Sequence, residues 1–171
     1  MSSFSKLGQF MYTWVTGASS FIGRHKVLYY ILNFTWGIIG TILGYILTLC
    51  LLPWYYYFQK NYNTYVMKTT IGSPQKGYSW GFSLGTATFV SKNATQYNGS
   101  TLYEHEFGHT CQNAVLGPFQ LFLVDIPSMI RYWHRIAVVR RGHLNSKDHD
   151  DIWFEHSATI IGICVRNDQK Q

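Results

Sequence analysis

Apolar residues follow three different rhythms along the chain. Leu7, Phe10, Met11, Trp14, Val15, Ala18, Phe21 and Ile22 recur at helical spacing, and Gln9, Thr13, Thr16, Ser19 and Ser20 fill the opposite face. This pattern predicts an amphipathic helix within a juxtamembrane segment 1–26, resting on a membrane surface or on the folded domain. Val27–Leu52 is instead apolar almost throughout, and no charged residue occurs from Val27 to Gln59. As one helix, its 26 residues would reach about 39 Å, enough to cross a hydrocarbon core of about 30 Å. Pro53 is a stop, and aromatic residues flank the run at Tyr29-Tyr30 and at Trp54–Phe58. Rings at both ends suit the two membrane interfaces, so 27–58 reads as a transmembrane anchor with its aromatic border. Gly40 and Gly44 form a GxxxG on that helix, a candidate homodimer contact. The third rhythm begins at Tyr78–Val90, whose aromatic and β-branched content, with glycines at 81 and 85, predicts one or two strands. Ile152–Val165 predicts a second buried helix. Ala114–Ile130 is apolar too, but Gly117, Pro118, Asp125 and Pro127 interrupt it, so a packed or membrane-facing loop is expected there rather than a second span.

Charge sharpens this division. No Asp or Glu precedes Glu104, while residues 1–103 carry seven basic residues. An acid-free half that contains a long uncharged run points to a membrane. Its basic residues are dispersed and form no cluster, which argues against nucleic acid. The apolar run is too long and starts too late for a cleavable signal peptide. Lys6, Arg24 and Lys26 precede the run, and Lys60 and Lys68 follow it. By that margin of one charge, a single-pass protein would place its C-terminal domain, residues 59–171, on the extracytoplasmic side. Three cysteines, with no CxxC, exclude a disulfide framework.

All carboxylate chemistry is thereby confined to the last 68 residues. There His105-Glu106-Phe107-Gly108-His109 follows a strand-like segment, with Ser100 or Thr101 as a helix cap and Glu104 in the first turn. On a helix, positions i and i+4 share a face, so both imidazoles can bind one zinc ion, with Glu106 beside it as proton acceptor. A catalytic zinc needs a third protein ligand. The metzincin extension is excluded because Gln112 and Val115 stand at its Gly and His positions. The remaining candidates are Asp125, His134, His143, Asp148, His149, Asp150, Asp151, Glu155 and His156. Glu155 stands out as a carboxylate inside an apolar helix, where it is costly unless paired or metal-bound. For an oxyanion-stabilising group the residues offer Tyr132, His134, His143, His149 and His156 without singling one out. Arg131, Arg135, Arg140 and Arg141 read as a solvated or membrane-surface face.

The HEFGH pentapeptide with the later Glu155-His156-Ser157-Ala158 resembles the gluzincin zinc metallopeptidases, and most of all their small membrane-associated bacterial members. Thr110, Gln112, Gly117-Pro118, Pro127-Ser128, Ala158 and Gly162 extend the resemblance over roughly residues 78–163. It implies His105, His109 and Glu155 as zinc ligands and Glu106 as catalytic base. It also implies an α+β, zincin-like minimal domain, in which a small sheet accompanies an active-site helix and a third-ligand helix, behind the N-terminal transmembrane helix. Thr159 departs from the pattern, which commonly has Asp or Asn there. The expected activity is hydrolysis of a peptide or protein substrate, bound by strand addition near Tyr78–Val90, by an enzyme held in membrane lipid. Two alternatives are an inactive zinc-binding membrane module acting through protein interaction and an intramembrane metalloprotease; the polar residues flanking the motif argue for an aqueous or interfacial site over the latter.

Overall fold

A computed structural model describes residues 5–61, 64–69, 80–91, 96–97, 100–141 and 152–168. The chain is α+β. Helices α1 (Lys6–Arg24), α2 (Lys26–Phe34) and α3 (Ile38–Leu51) lead into strands β1 (Tyr55–Asn61), β2 (Thr64–Thr69), β3 (Gly81–Leu84) and β4 (Ala87–Ser91). A two-residue pair, β5 (Gln96–Tyr97) and β6 (Ser100–Thr101), precedes α4 (Leu102–Leu116), α5 (Ile126–Arg140) and α6 (Trp153–Asp168). The sheet runs in the order β1-β2-β4-β3 and is mixed: β2 and β4 are parallel, and the outer pairs are antiparallel. Tyr78–Val90 thus contains two strands, joined at Gly85, whose φ of 56° favours glycine.

The expected single span is broken. Residues 27–52 form two helices, and the pair α2 with Ile38–Trp54 bends by 86°. The cause is a polar knot. The Gly37 N–H donates back to the Leu32 carbonyl, and the Thr41 hydroxyl donates to the Asn33 carbonyl, so the regular i to i−4 ladder is interrupted. Asn113 of α4 fixes the corner, its amide nitrogen donating to Asn33 Oδ1 at 2.7 Å and to the Gly37 carbonyl at 3.0 Å. Among the described residues, no single helix is long and apolar enough to cross a membrane. The aromatic run after Pro53, expected at an interface, is strand β1.

The GxxxG face is also occupied. A Cβ at Gly40 would meet Asn113 Oδ1 at 2.5 Å, and one at Gly44 would come against the Leu84 carbonyl. The glycines that were expected to form a dimer contact therefore pack against the chain's own α4 and β3–β4 turn. The loop expected over 114–130 is largely helical. After α4 come a 3₁₀ turn (Gly117–Phe119) and a π-helical turn (Leu121–Asp125), and α5 starts at Ile126. Pro127 lies in the first turn of α5, where its missing N–H is harmless.

Helix α1 resolves its two options in part, because it packs on α4 and α6. It does so with Gly8, Val15, Ser19, Ser20, Ile22 and Gly23, and leaves Leu7, Phe10, Trp14 and Phe21 exposed. The core beneath is formed by Ile22, Tyr29, Phe107, Cys111, Ile161 and Val165. Helices α4 and α6 approach at glycines: a Cβ at Gly108 would meet the Ala158 carbonyl and one at Gly162 the Glu104 carbonyl. This close crossing brings the two motif helices together.

Candidate metal centre

The α4 start follows from its sequence. Thr101 Oγ1 accepts from the Glu104 N–H, and the Thr101 N–H donates to Glu104 Oε2 at 2.8 Å, a reciprocal capping box. Glu104 Oε2 also accepts from Arg166 at 3.2 Å, tying the α4 start to the α6 end. The helix is buried nearly all round, so the polar motif residues lie in the interior.

His105 and His109 stand one turn apart on α4, and Glu155 faces them from α6. Glu155 Oε2 lies 3.2 Å from His105 Nε2 and 3.1 Å from His109 Nε2, and the three ligand atoms all fall within 4.8 Å of one another. All three residues are buried, Glu155 completely. The outer ring nitrogens are held as well: His105 Nδ1 is 2.9 Å from Thr159 Oγ1, and His109 Nδ1 is 2.8 Å from Gln112 Oε1.

The hydrogen bonds fix one tautomer. Gln112 Nε2 donates to the Phe154 carbonyl at 2.8 Å, so Oε1 is the atom facing His109, and a carbonyl oxygen only accepts. Nδ1 of His109 therefore carries a proton, and its Nε2 offers a lone pair toward the Glu155 carboxylate. Two acceptors at 3.1 Å need a cation or a proton between them. Without a metal ion that partner is a proton: burial alone would lower the His109 pKa, but the Glu155 charge and hydrogen bond outweigh it and hold it near 9. The donor set of two imidazole nitrogens and one carboxylate, each imidazole fixed from behind, fits a metal ion whose identity the geometry leaves open.

Glu106 points to the side of this cluster. Ser83 of β3 donates to its Oε2 at 2.8 Å, and the same hydroxyl lies 2.9 Å from the Glu106 backbone carbonyl. Burial raises the Glu106 pKa, opposed by the two histidines and by the Ser83 hydrogen bond. A Cβ at Gly81 would approach Glu106 Oε1 to 2.6 Å, so glycine leaves room for the carboxylate.

The structure brings His105, Glu106, His109 and Glu155 together. Asp125 is outside the ligand set and accepts from Gln120 Nε2 at 3.1 Å. His134 is exposed on α5, and the His156 ring packs at 5.4 Å from that of Tyr12. His143, Asp148, His149, Asp150 and Asp151 lie outside the described residues. Ser83 was not anticipated, and its place in a strand of unremarkable composition gave no signal. Gln112 and Thr159 gave one, being spaced three residues after His109 and four after Glu155. Thr159, at the position where the sequence departs from the gluzincin pattern, orients His105.

No family profile, curated protein or solved structure matches this chain. The site alone sets its class: an α+β protein with a buried His105/His109/Glu155 cluster that can hold a metal ion.

Proposed function

We propose that the chain is a zinc-dependent metallopeptidase of gluzincin type, with Glu106 as its general base and with the apolar exterior of α2 and α3 holding it to a membrane. The observation that carries this reading is the Glu106 carboxylate, buried on the same helix as the two histidines, within electrostatic reach of both, and held by Ser83. A zinc ion in this donor set would supply Lewis acidity toward a carbonyl and lower the pKa of water. Glu106 then accepts a proton and returns it to the leaving amine. The raised pKa suits that exchange, because the carboxylate is more basic than a solvated one. β3 ends the sheet beside Glu106, and an extended peptide added along it would pass the carboxylate. Thr159 and Gln112 keep both imidazoles in place.

The test is Glu106→Gln, assayed for bound zinc and for cleavage of a peptide library. Zinc is retained and hydrolysis is lost. Hydrolysis at the wild-type rate would overturn the mechanism.

A further inference from the structure

The half of the molecule that carries the metal site buries polar side chains beside its apolar core and exposes large apolar ones. Helix α1 turns Ser19, Ser20 and Gly23 inward, and its Thr16 hydroxyl donates to Ser157 on α6. Its outward residues Leu7, Phe10, Trp14 and Phe21 are 50–71% exposed. The same inversion follows α4. Gln120 is buried with its amide on Asp125, while Phe122, Leu123, Met129, Ile130 and Trp133 stand exposed. Water contact with so many large apolar side chains is unfavourable, and patches of this extent mark a surface that something covers.

The elements that bear these two faces pack on one another. Val124 of the π-helical turn packs with Val15 of α1 and with Phe154, the neighbour of Glu155. The Phe119 ring lies 6.3 Å from that of Trp36 at the α2–α3 corner, which leads on to the exposed Ile42, Ile46 and Leu49 of α3. Exposed apolar side chains therefore occur on α1, on the π-helical turn, on α5 and on α3, all elements that adjoin the metal-site half. Charge selects what covers them. Residues 1–103 contain no acid, and α5 carries Arg131, Arg135 and Arg140 and no acid. Cationic residues interleaved with Trp and aliphatic side chains match anionic lipid headgroups above acyl chains.

We propose that a lipid bilayer with anionic headgroups covers the faces of α1, the π-helical turn and α5 as well as α3, so that the protein around the metal site is itself seated in the membrane. This depends on neither zinc nor peptide hydrolysis, so loss of the peptidase reading leaves it standing.

The test uses the full chain with single tryptophans, Trp133 or Trp80, the other five replaced by Phe. Trp133 projects from α5, whereas Trp80 is half-buried and stacks on Phe82. Both variants are reconstituted in phosphatidylcholine–phosphatidylglycerol vesicles with brominated acyl chains. Trp133 emission falls about twofold or more and Trp80 emission is unchanged. Phe122→Cys in a chain whose exposed Cys50 and half-buried Cys164 are changed to Ser, carrying a polarity-sensitive fluorophore, gives a blue shift on adding vesicles and guards against a folding defect of the single-tryptophan variants. Three results overturn the proposal: a protein that floats with vesicles while Trp133 stays unquenched and the Phe122→Cys probe unshifted; no flotation at all; or a detergent-free oligomer in which a second copy of the chain shields both positions.

Discussion

The ligand geometry depends on how closely α6 approaches α4, and Gly108 sets that distance. A Cβ at Gly108 would lie 2.1 Å from the Ala158 carbonyl oxygen and 2.6 Å from its carbon, where ordinary contact begins at 3.4 Å. Both obstacles are backbone atoms, so no side chain can rotate away. Gly108→Ala must part the helices by about 1 Å, because packed interiors have no free volume to absorb the methyl. The expected cost is about 1–3 kcal/mol of overpacking, which lowers Tm by about 2–12 °C in a chain of this size. Glu155 sits one helical turn before Ala158 and moves with it, away from both Nε2 atoms. Zinc affinity, measured by competition with a chromogenic chelator, falls at least about tenfold. Gly17→Ala is the control: no atom lies within 4 Å of its would-be Cβ, so helix propensity makes that change stabilising by about 0.5–1 kcal/mol. If Gly108→Ala lowers Tm but binds zinc as the native chain does, the crossing does not set the ligand distance. If neither quantity moves, the close approach itself is refuted.

Gln112→Ala removes the carbonyl that holds His109 Nδ1, and Thr159→Val removes the hydroxyl behind His105; each lowers zinc affinity about 10–100-fold in the same competition assay. Metal uptake at pH 7.5 releases about one proton per ion, since His109, with its pKa raised to about 9, is charged in the metal-free protein; calorimetry in two buffers of different ionisation enthalpy counts it. The same shift is upward, so its contribution to metal-free stability is fully present below 6.5 and is lost as pH rises through about 9, which denaturant unfolding across that range follows. Asn113→Ala leaves Asn33 Oδ1 without the donor that fixes the α2–α3 corner, while the Gly37 carbonyl keeps the Thr41 N–H; the loss is about 1–3 kcal/mol for the one group left unpaired, read from the denaturation midpoint.

The candidate site was legible because its information is local. His105, Glu106 and His109 lie within five residues, the helix period alone puts both imidazoles on one face, and Thr101 with Glu104 writes the start of that helix. Glu155 could be found because a lone carboxylate in an apolar helix is costly without a partner. Ser83 could not. Its role arises from the placement of β3 against α4, a contact between residues 23 apart in sequence, and a serine in a strand looks the same with or without it.

The broken apolar run shows the converse. Hydropathy over Val27–Leu52 counts side chains by transfer energy, and on that scale one asparagine, three threonines and three glycines look like tolerated exceptions. Their partners decide otherwise. Asn33 meets Asn113 from 80 residues away, Thr41 takes the Asn33 carbonyl, and Gly37 and Gly40 admit the Asn113 amide. Asn33, Gly37 and Gly40 are contacts with α4 and Gly44 is one with the β3–β4 turn, so these interruptions in the run are points at which it joins the rest of the fold. The same logic accounts for α1, whose buried side joins Val15 and Ile22 to the small residues Gly8, Ser19, Ser20 and Gly23. Where a protein packs helices through polar and glycine contacts and shows aliphatic residues outward, the hydrophobic face of an amphipathic pattern no longer identifies the inside. Reading α1 by the rule for water-soluble helices would have buried Phe10 and Trp14, which stand exposed, together with Val15 and Ile22, which are buried.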